Sequence, residues 1–180
     1  MRGIALLSLL TLAACASGST TAGRPETMRV VGGGGLTTGG FNMNASSSAS
    51  VTKLAFPLDA AWRALPGVYD SLKIPPTVLD AKTHHFGNEG LKIRQKLAGV
   101  SLSKYIDCGE AQIGPSADSY DIFLNVTTTL SAAGAGETEV ATMVEAAAKP
   151  LIGQDYTRCT SKGTLENMIS SMLSARLAKK

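Results

Sequence analysis

Residues 119–131, SYDIFLNVTTTLS, alternate apolar and polar side chains over most of their length. Successive residues of a strand point to opposite sides, so Tyr120, Ile122, Leu124, Val126 and Leu130 share one face with Thr128. Asp121, Asn125, Thr127 and Thr129 occupy the other, where Phe123 interrupts them. A strand this long needs a partner. Residues 137–148 supply one: Val140, Thr142 and Val144 repeat at every second position, and the glycine-containing turn at 132–136 has hairpin length. The same stretch spaces Val140, Met143, Val144 and Ala147 as a helix would and is rich in alanine. The long strand before it decides in favour of a strand. An antiparallel sheet is therefore the centre of whatever this chain builds.

Around that centre the pattern changes period. Residues 51–56 read as a strand ended by Pro57. Apolar positions then recur at Leu58, Ala61, Trp62, Leu65, Val68, Tyr69 and Leu72, steps of three and four that give one apolar helical face. Asp59 falls in the first turn, where the helix dipole favours a carboxylate. Pro66 removes a backbone donor and is expected to kink this helix or split it in two. Pro75-Pro76 stops it. Residues 77–85 read as a strand, Gly87-Asn88-Glu89-Gly90 as a turn, and 91–97 as a further strand. There Leu91, Ile93 and Leu97 face one way, while Lys92, Arg94 and Lys96 face the other. The basic row reads first as a solvated outer face in which lysine guards a sheet edge against aggregation. Contact with anionic lipid headgroups or a cell-wall polymer is its other reading.

Residues 100–105 read as a loop or helical turn leading into a short strand with Cys108. After Pro150 and Gly153, residues Leu165, Met168, Ile169, Met172 and Leu173 make the apolar face of a last helix. Thr160 or Ser161 can cap its start, and Arg176, Lys179 and Lys180 suit its C-terminal end. The methionines read as core filler and Trp62 as a core anchor. The expected class is α+β: an antiparallel sheet of about five or six strands packed in two layers against an early helix and a C-terminal helix.

A chain of 180 residues allows one domain of ordinary size with appendages. Apolar residues make up 44% but aromatics only 5%, so the core should be small and aliphatic. The formal charge is +3 with no long basic stripe, and no nucleic-acid partner is expected. Residues 16–50 hold eight glycines and many Ser and Thr, a composition that cannot bury enough apolar surface to offset chain entropy. A flexible tether of this length spans about 30–35 Å r.m.s.. Within it only Met28-Arg29-Val30-Val31 could form a short strand, added to a sheet edge. Gly34 and Gly39 have the spacing of a phosphate loop, but Gly40 and Phe41 stand where Lys and Ser or Thr are needed, so a linker is the better reading.

The first fourteen residues look like an export leader. Met1-Arg2 is positive, and residues 4–14 are an apolar run covering about half of a ~30 Å hydrocarbon core. The tetrad Leu12-Ala13-Ala14-Cys15 resembles the bacterial lipobox. That resemblance implies that Cys15 becomes the first residue of the mature chain and is acylated, fixing the protein to a lipid bilayer. Two or three acyl chains hold a protein durably where one holds it marginally. Ala16, rather than Asp, after the lipidated position implies sorting to the outer membrane with the domain facing the periplasm. The expected organisation is a leader at 1–14, the lipidated cysteine and tether at 15–50, and one α+β domain at 51–180.

Assigning Cys15 to lipid leaves Cys108 and Cys159. An oxidising compartment favours their pairing, and closing a loop of about fifty residues would stabilise the fold by up to ~4 kcal/mol. Two buried free thiols are the rival reading. A metal site is less favoured, since no second Cys or His lies two to four residues from either.

The lipobox, the glycine- and serine-rich tether, the early helix near DAAWRAL and the terminal helix together make the chain similar to the domains of the lipoprotein C family of the outer-membrane barrel assembly machinery. The similarity is architectural, covers about residues 51–178, and implies a helix-grip-like sheet wrapped on its last helix. Catalytic chemistry is sparse. His84 and His85 lie near Asp80 and Glu89, but neighbours on a strand point apart and cannot easily grip one metal. No nucleophile elbow is present near Gly163. The expectation is a non-catalytic envelope protein with no cofactor that docks an envelope protein partner through a sheet edge or groove. The alternative is a carrier holding a small apolar ligand between the sheet and the C-terminal helix.

Overall fold

The computed structural model describes residues 27–28, 49–153 and 155–179. In chain order the elements begin with β1 (Thr27–Met28), β2 (Ser50–Leu54), α1 (Leu58–Ser71), β3 (Val78–Asp80) and β4 (His85–Arg94). A run of short pieces follows: β5 (Lys96–Leu97), β6 (Val100–Ser101), a 3-10 turn (Leu102–Lys104), β7 (Ile106–Asp107), β8 (Glu110–Ala111), β9 (Gly114–Pro115) and α2 (Ser116–Ser119). The chain ends with β10 (Asp121–Gly134), β11 (Glu137–Lys149), β12 (Tyr156–Ser161) and α3 (Thr164–Leu177). This is the α+β class, with an early and a C-terminal helix against a mainly antiparallel sheet.

The long hairpin of β10 and β11 is the spine of the sheet, paired from Asp121↔Lys149 to Gly134↔Glu137. The strand order is β1-β12-β11-β10-β4-β3, every pair antiparallel. Two strands share the outer side of β11: β12 along Ala146–Ala148 and β2 along Thr138–Thr142. In turn β12 has β1 beside Tyr156 and Thr157, and β7 beside Thr160 and Ser161. Among the described residues the sheet therefore counts eight strands, more than expected, because two-residue pieces complete its edges.

The alternation read in 119–131 and 137–148 sets the layers. Ile122, Leu124, Val126, Thr128 and Leu130 are buried with Thr138, Val140, Thr142, Val144, Ala146 and Ala148. The buried residues of α1 and α3 close over that face, with Ala61, Leu65, Val68, Tyr69, Leu165, Ile169 and Leu173 fully sequestered. The three threonines do not leave their hydroxyls unpaired. Tyr69 Oη and Thr128 Oγ1 are 2.9 Å apart, Thr128 Oγ1 and Thr142 Oγ1 are 2.9 Å apart, and Thr138 Oγ1 donates to the Phe56 carbonyl at 2.7 Å. This chain of hydroxyls removes the desolvation cost that each would otherwise impose. The two helices meet at Gly67: a Cβ there would lie 2.6 Å from the Arg176 guanidinium carbon.

Several expectations are corrected. Pro66 does not split α1, which runs through it from Leu58 to Ser71. Residues 77–85 do not form one strand. The chain pairs only at Val78–Asp80, then turns, with His84 at φ 49°. Gly87-Asn88-Glu89-Gly90 is not a turn but the middle of β4. Gly87 lets β4 lie against β10, since a Cβ there would be 2.2 Å from the Val126 carbonyl oxygen. The register then shifts between Leu124 and Val126, and Gly90 takes a φ of 90° at that bulge. Asn88 is buried and donates to the Pro75 carbonyl at 2.5 Å. At the far end Gln95, with φ 65°, interrupts the strand, so Lys96 does not continue the row of Lys92 and Arg94.

The expected strand at 28–31 is met by β1 at its first residue, while 29–31 lie outside the described residues. β12 had no counterpart in the sequence reading. It takes Thr160 into the sheet, so the start of α3 is set by Gly163 in the left-handed region. Ser161 Oγ accepts the Gly163 N–H at 3.1 Å and donates to Glu166 Oε1 at 2.5 Å.

Candidate functional site

Cys108 and Cys159 are joined, with their Cα atoms 4.2 Å apart. Cys108 follows β7, and Cys159 sits on β12 opposite Ala146. Both are buried, and the bond ties the short pieces after β4 to the main sheet rather than to the helix start directly. Cys15, the leader and most of the tether lie outside the described residues.

The two histidines are held apart. The His84 ring meets Trp62 edge-on at 5.3 Å, and His85 Nδ1 is 2.9 Å from Thr129 Oγ1. Among the described residues no three His, Cys, Asp or Glu side chains gather as metal ligands. Nor is any helix among them long and apolar enough to cross a membrane.

The surface with the most chemistry is the sheet face away from the helices, at the end where β4 finishes and β10 begins. Register places Arg94, Asp121 and Lys149 in one row across β4, β10 and β11. The next row is Lys92, Phe123, Ala147 and Arg158, which reaches β12. Tyr156 stands two residues before Arg158 on the same face, and its ring lies 5.5 Å from that of Phe123. The cations surround this aromatic pair. Lys92 Nζ is 5.8 Å from the Phe123 ring centre and Lys149 Nζ 5.4 Å from that of Tyr156. Lys92 also donates to Asp121 at 2.9 Å, and Arg158 approaches Glu145 at 3.9 Å. The hydrogen bond from Lys92, helped by the charges of Arg94 and Lys149, holds the Asp121 carboxyl below the usual range. Among the described residues, Lys92, Arg94, Lys149 and Arg158 thus share this end of the sheet with Asp121 and Glu145. Just beyond Lys149 the loop to β12 exposes Leu151 (58%) and Ile152 (94%).

Of these residues the sequence reading singled out Lys92 and Arg94. Phe123 was visible only as a break in a polar row. Lys149 ends β11, one residue past the stretch read as that strand, and Tyr156 and Arg158 join through β12, which is too short and too mixed in composition to signal itself. Compared with known proteins, the chain matches no family model and no curated protein.

Proposed function

We propose that this chain is an exported bacterial lipoprotein, fixed to the outer membrane through acylated Cys15, whose periplasmic domain is a non-catalytic docking or assembly module. The observation that supports the anchor is the pairing of Cys108 with Cys159. It accounts for two of three cysteines and leaves the third in the Leu12-Ala13-Ala14-Cys15 tetrad, where acylation gives it a use. Cells fed a labelled fatty acid should label the protein, and Cys15→Ala should abolish both the label and membrane retention. Retention of the alanine variant in membranes defeats the anchor.

Docking finds support in the sheet edges. Among the described residues no strand lies on the outer side of β2 or of β4 over Leu91–Arg94, so backbone donors and acceptors there can take an added strand. The carrier reading has less support, because Leu165, Ile169 and Leu173 fill the space between α3 and the sheet, with Met168 and Met172 half-buried at its rim. Crosslinking in intact envelopes tests the module: a specific protein adduct through residues of β2 or β4 is expected, and its absence counts against docking.

A further inference from the structure

We propose that the open edge of β4 over Leu91–Arg94 takes an added strand from a partner protein, an extended segment in which Asp or Glu alternates with apolar residues. The inference rests on the docking reading and narrows it to one edge and one partner chemistry. The edge is bounded at both ends. Before it, β3 pairs with His85–Gly87, and Thr77 donates its N–H to the Gly87 carbonyl and accepts the Glu89 N–H on its hydroxyl, both at 2.9 Å. After it, Gln95 turns the chain at φ 65°, and its carbonyl accepts the Leu102 N–H. Between these stops no described strand pairs the outer side of β4, while β10 holds the inner side in register from Leu91↔Leu124 to Arg94↔Asp121. A short length of ladder is thus preset for an incoming segment.

The alternation of side chains along the edge says what that segment carries. Leu91 and Ile93 lie on the helix side, in register with the fully buried Leu124 and Ile122. They pack against the core but stay half-buried, because the sheet ends with them. Apolar residues at alternate positions of a new strand would extend the core over both. Lys92 and Arg94 lie on the other face and are exposed. Arg94 has no ion pair among the described residues, and Asp121, the partner of Lys92, lies inboard on β10. Opposite charges across a strand pair attract and like charges repel. A second copy docked edge to edge would set Lys92 and Arg94 against the same two cations, and the other open edge, β2, would bring Lys53. The charges that keep two copies apart therefore admit an acidic strand.

The purified chain carrying Cys15→Ala is titrated into the fluorescein-labelled peptide Ser-Glu-Val-Glu-Ile-Glu-Val-Ser and into its counterpart with Lys for every Glu. Anisotropy should show binding of the acidic peptide alone. Lys92→Gln with Arg94→Gln, both exposed positions, should weaken it about tenfold, at roughly fivefold or less per cross-strand charge pair. Lys53→Gln on the β2 edge should leave it unchanged, with thermal melts showing every variant folded. Methylating the backbone nitrogens of the peptide should abolish binding, since a ladder needs its N–H groups and attraction between side chains does not. No binding, equal binding of both peptides, or binding that survives N-methylation or the paired glutamines overturns the proposal. So does a concentration-dependent dimer that the paired glutamines disrupt, because a second copy then holds the edge. The two readings fail apart: an envelope adduct through β2 alone keeps docking and defeats the β4 edge, while absence of every adduct counts against both.

Discussion

Tyr69 shows how much of this fold depends on single polar atoms in an aliphatic interior. Its ring packs edge-on against Phe86 at 5.0 Å while its hydroxyl joins the threonine chain of β10 and β11. Burial pushes that hydroxyl well above the ordinary tyrosine value, with the Thr128 bond opposing only in part. Above about pH 10 the unfolded chain releases this proton and the folded chain keeps it, so stability falls as pH climbs. Thermal melts across that range should show the fall, and Tyr69→Phe should flatten it while costing about 1 kcal/mol at neutral pH. Gly87 makes a different demand. Gly87→Ala places a methyl against the backbone of Val126 and Thr127, and urea unfolding should show a loss of about 1–3 kcal/mol or more. The sequence announced Tyr69 through its helical spacing. It misled at Gly87, because a glycine that admits a close neighbour looks the same as one that makes a turn.

At the level of elements, long periodic segments were legible and short ones were not. The alternation of 119–131 and 137–148 marked β10 and β11, and the three-and-four spacing marked α1 and α3. β12 escaped because its six residues gain their pairing from β11, β1 and β7 rather than from any pattern of their own. The same holds for β8 and β9, each two residues long, whereas β1 and β7 answer to the short strands expected at 28–31 and beside Cys108. Where local preference is weak, the covalent tie matters most. Replacing Cys108 and Cys159 together by serine should lower stability by about 4 kcal/mol, the entropy of a loop of this size. Calorimetry of oxidised, reduced and double-serine protein checks this, with the last two expected to melt alike.

For the whole molecule, every buried apolar residue among the described residues falls between Leu54 and Leu177. A fragment of residues 49–180 should therefore unfold in a single cooperative step within a few degrees of the full chain, followed by circular dichroism. Losing β1 removes a two-residue ladder on β12. Composition changes sharply near residue 50, and that change is what the division into tether and domain rests on. The basic and aromatic face was not, because four strands bring its members together from 92 to 158, and only register across a sheet can do that. The Cys108–Cys159 bond has one more effect. It closes a covalent ring around the whole central hairpin, including the tip at Ala135-Gly136. A protease that nicks that tip leaves two pieces still fastened together, so they part only when a reductant opens the ring.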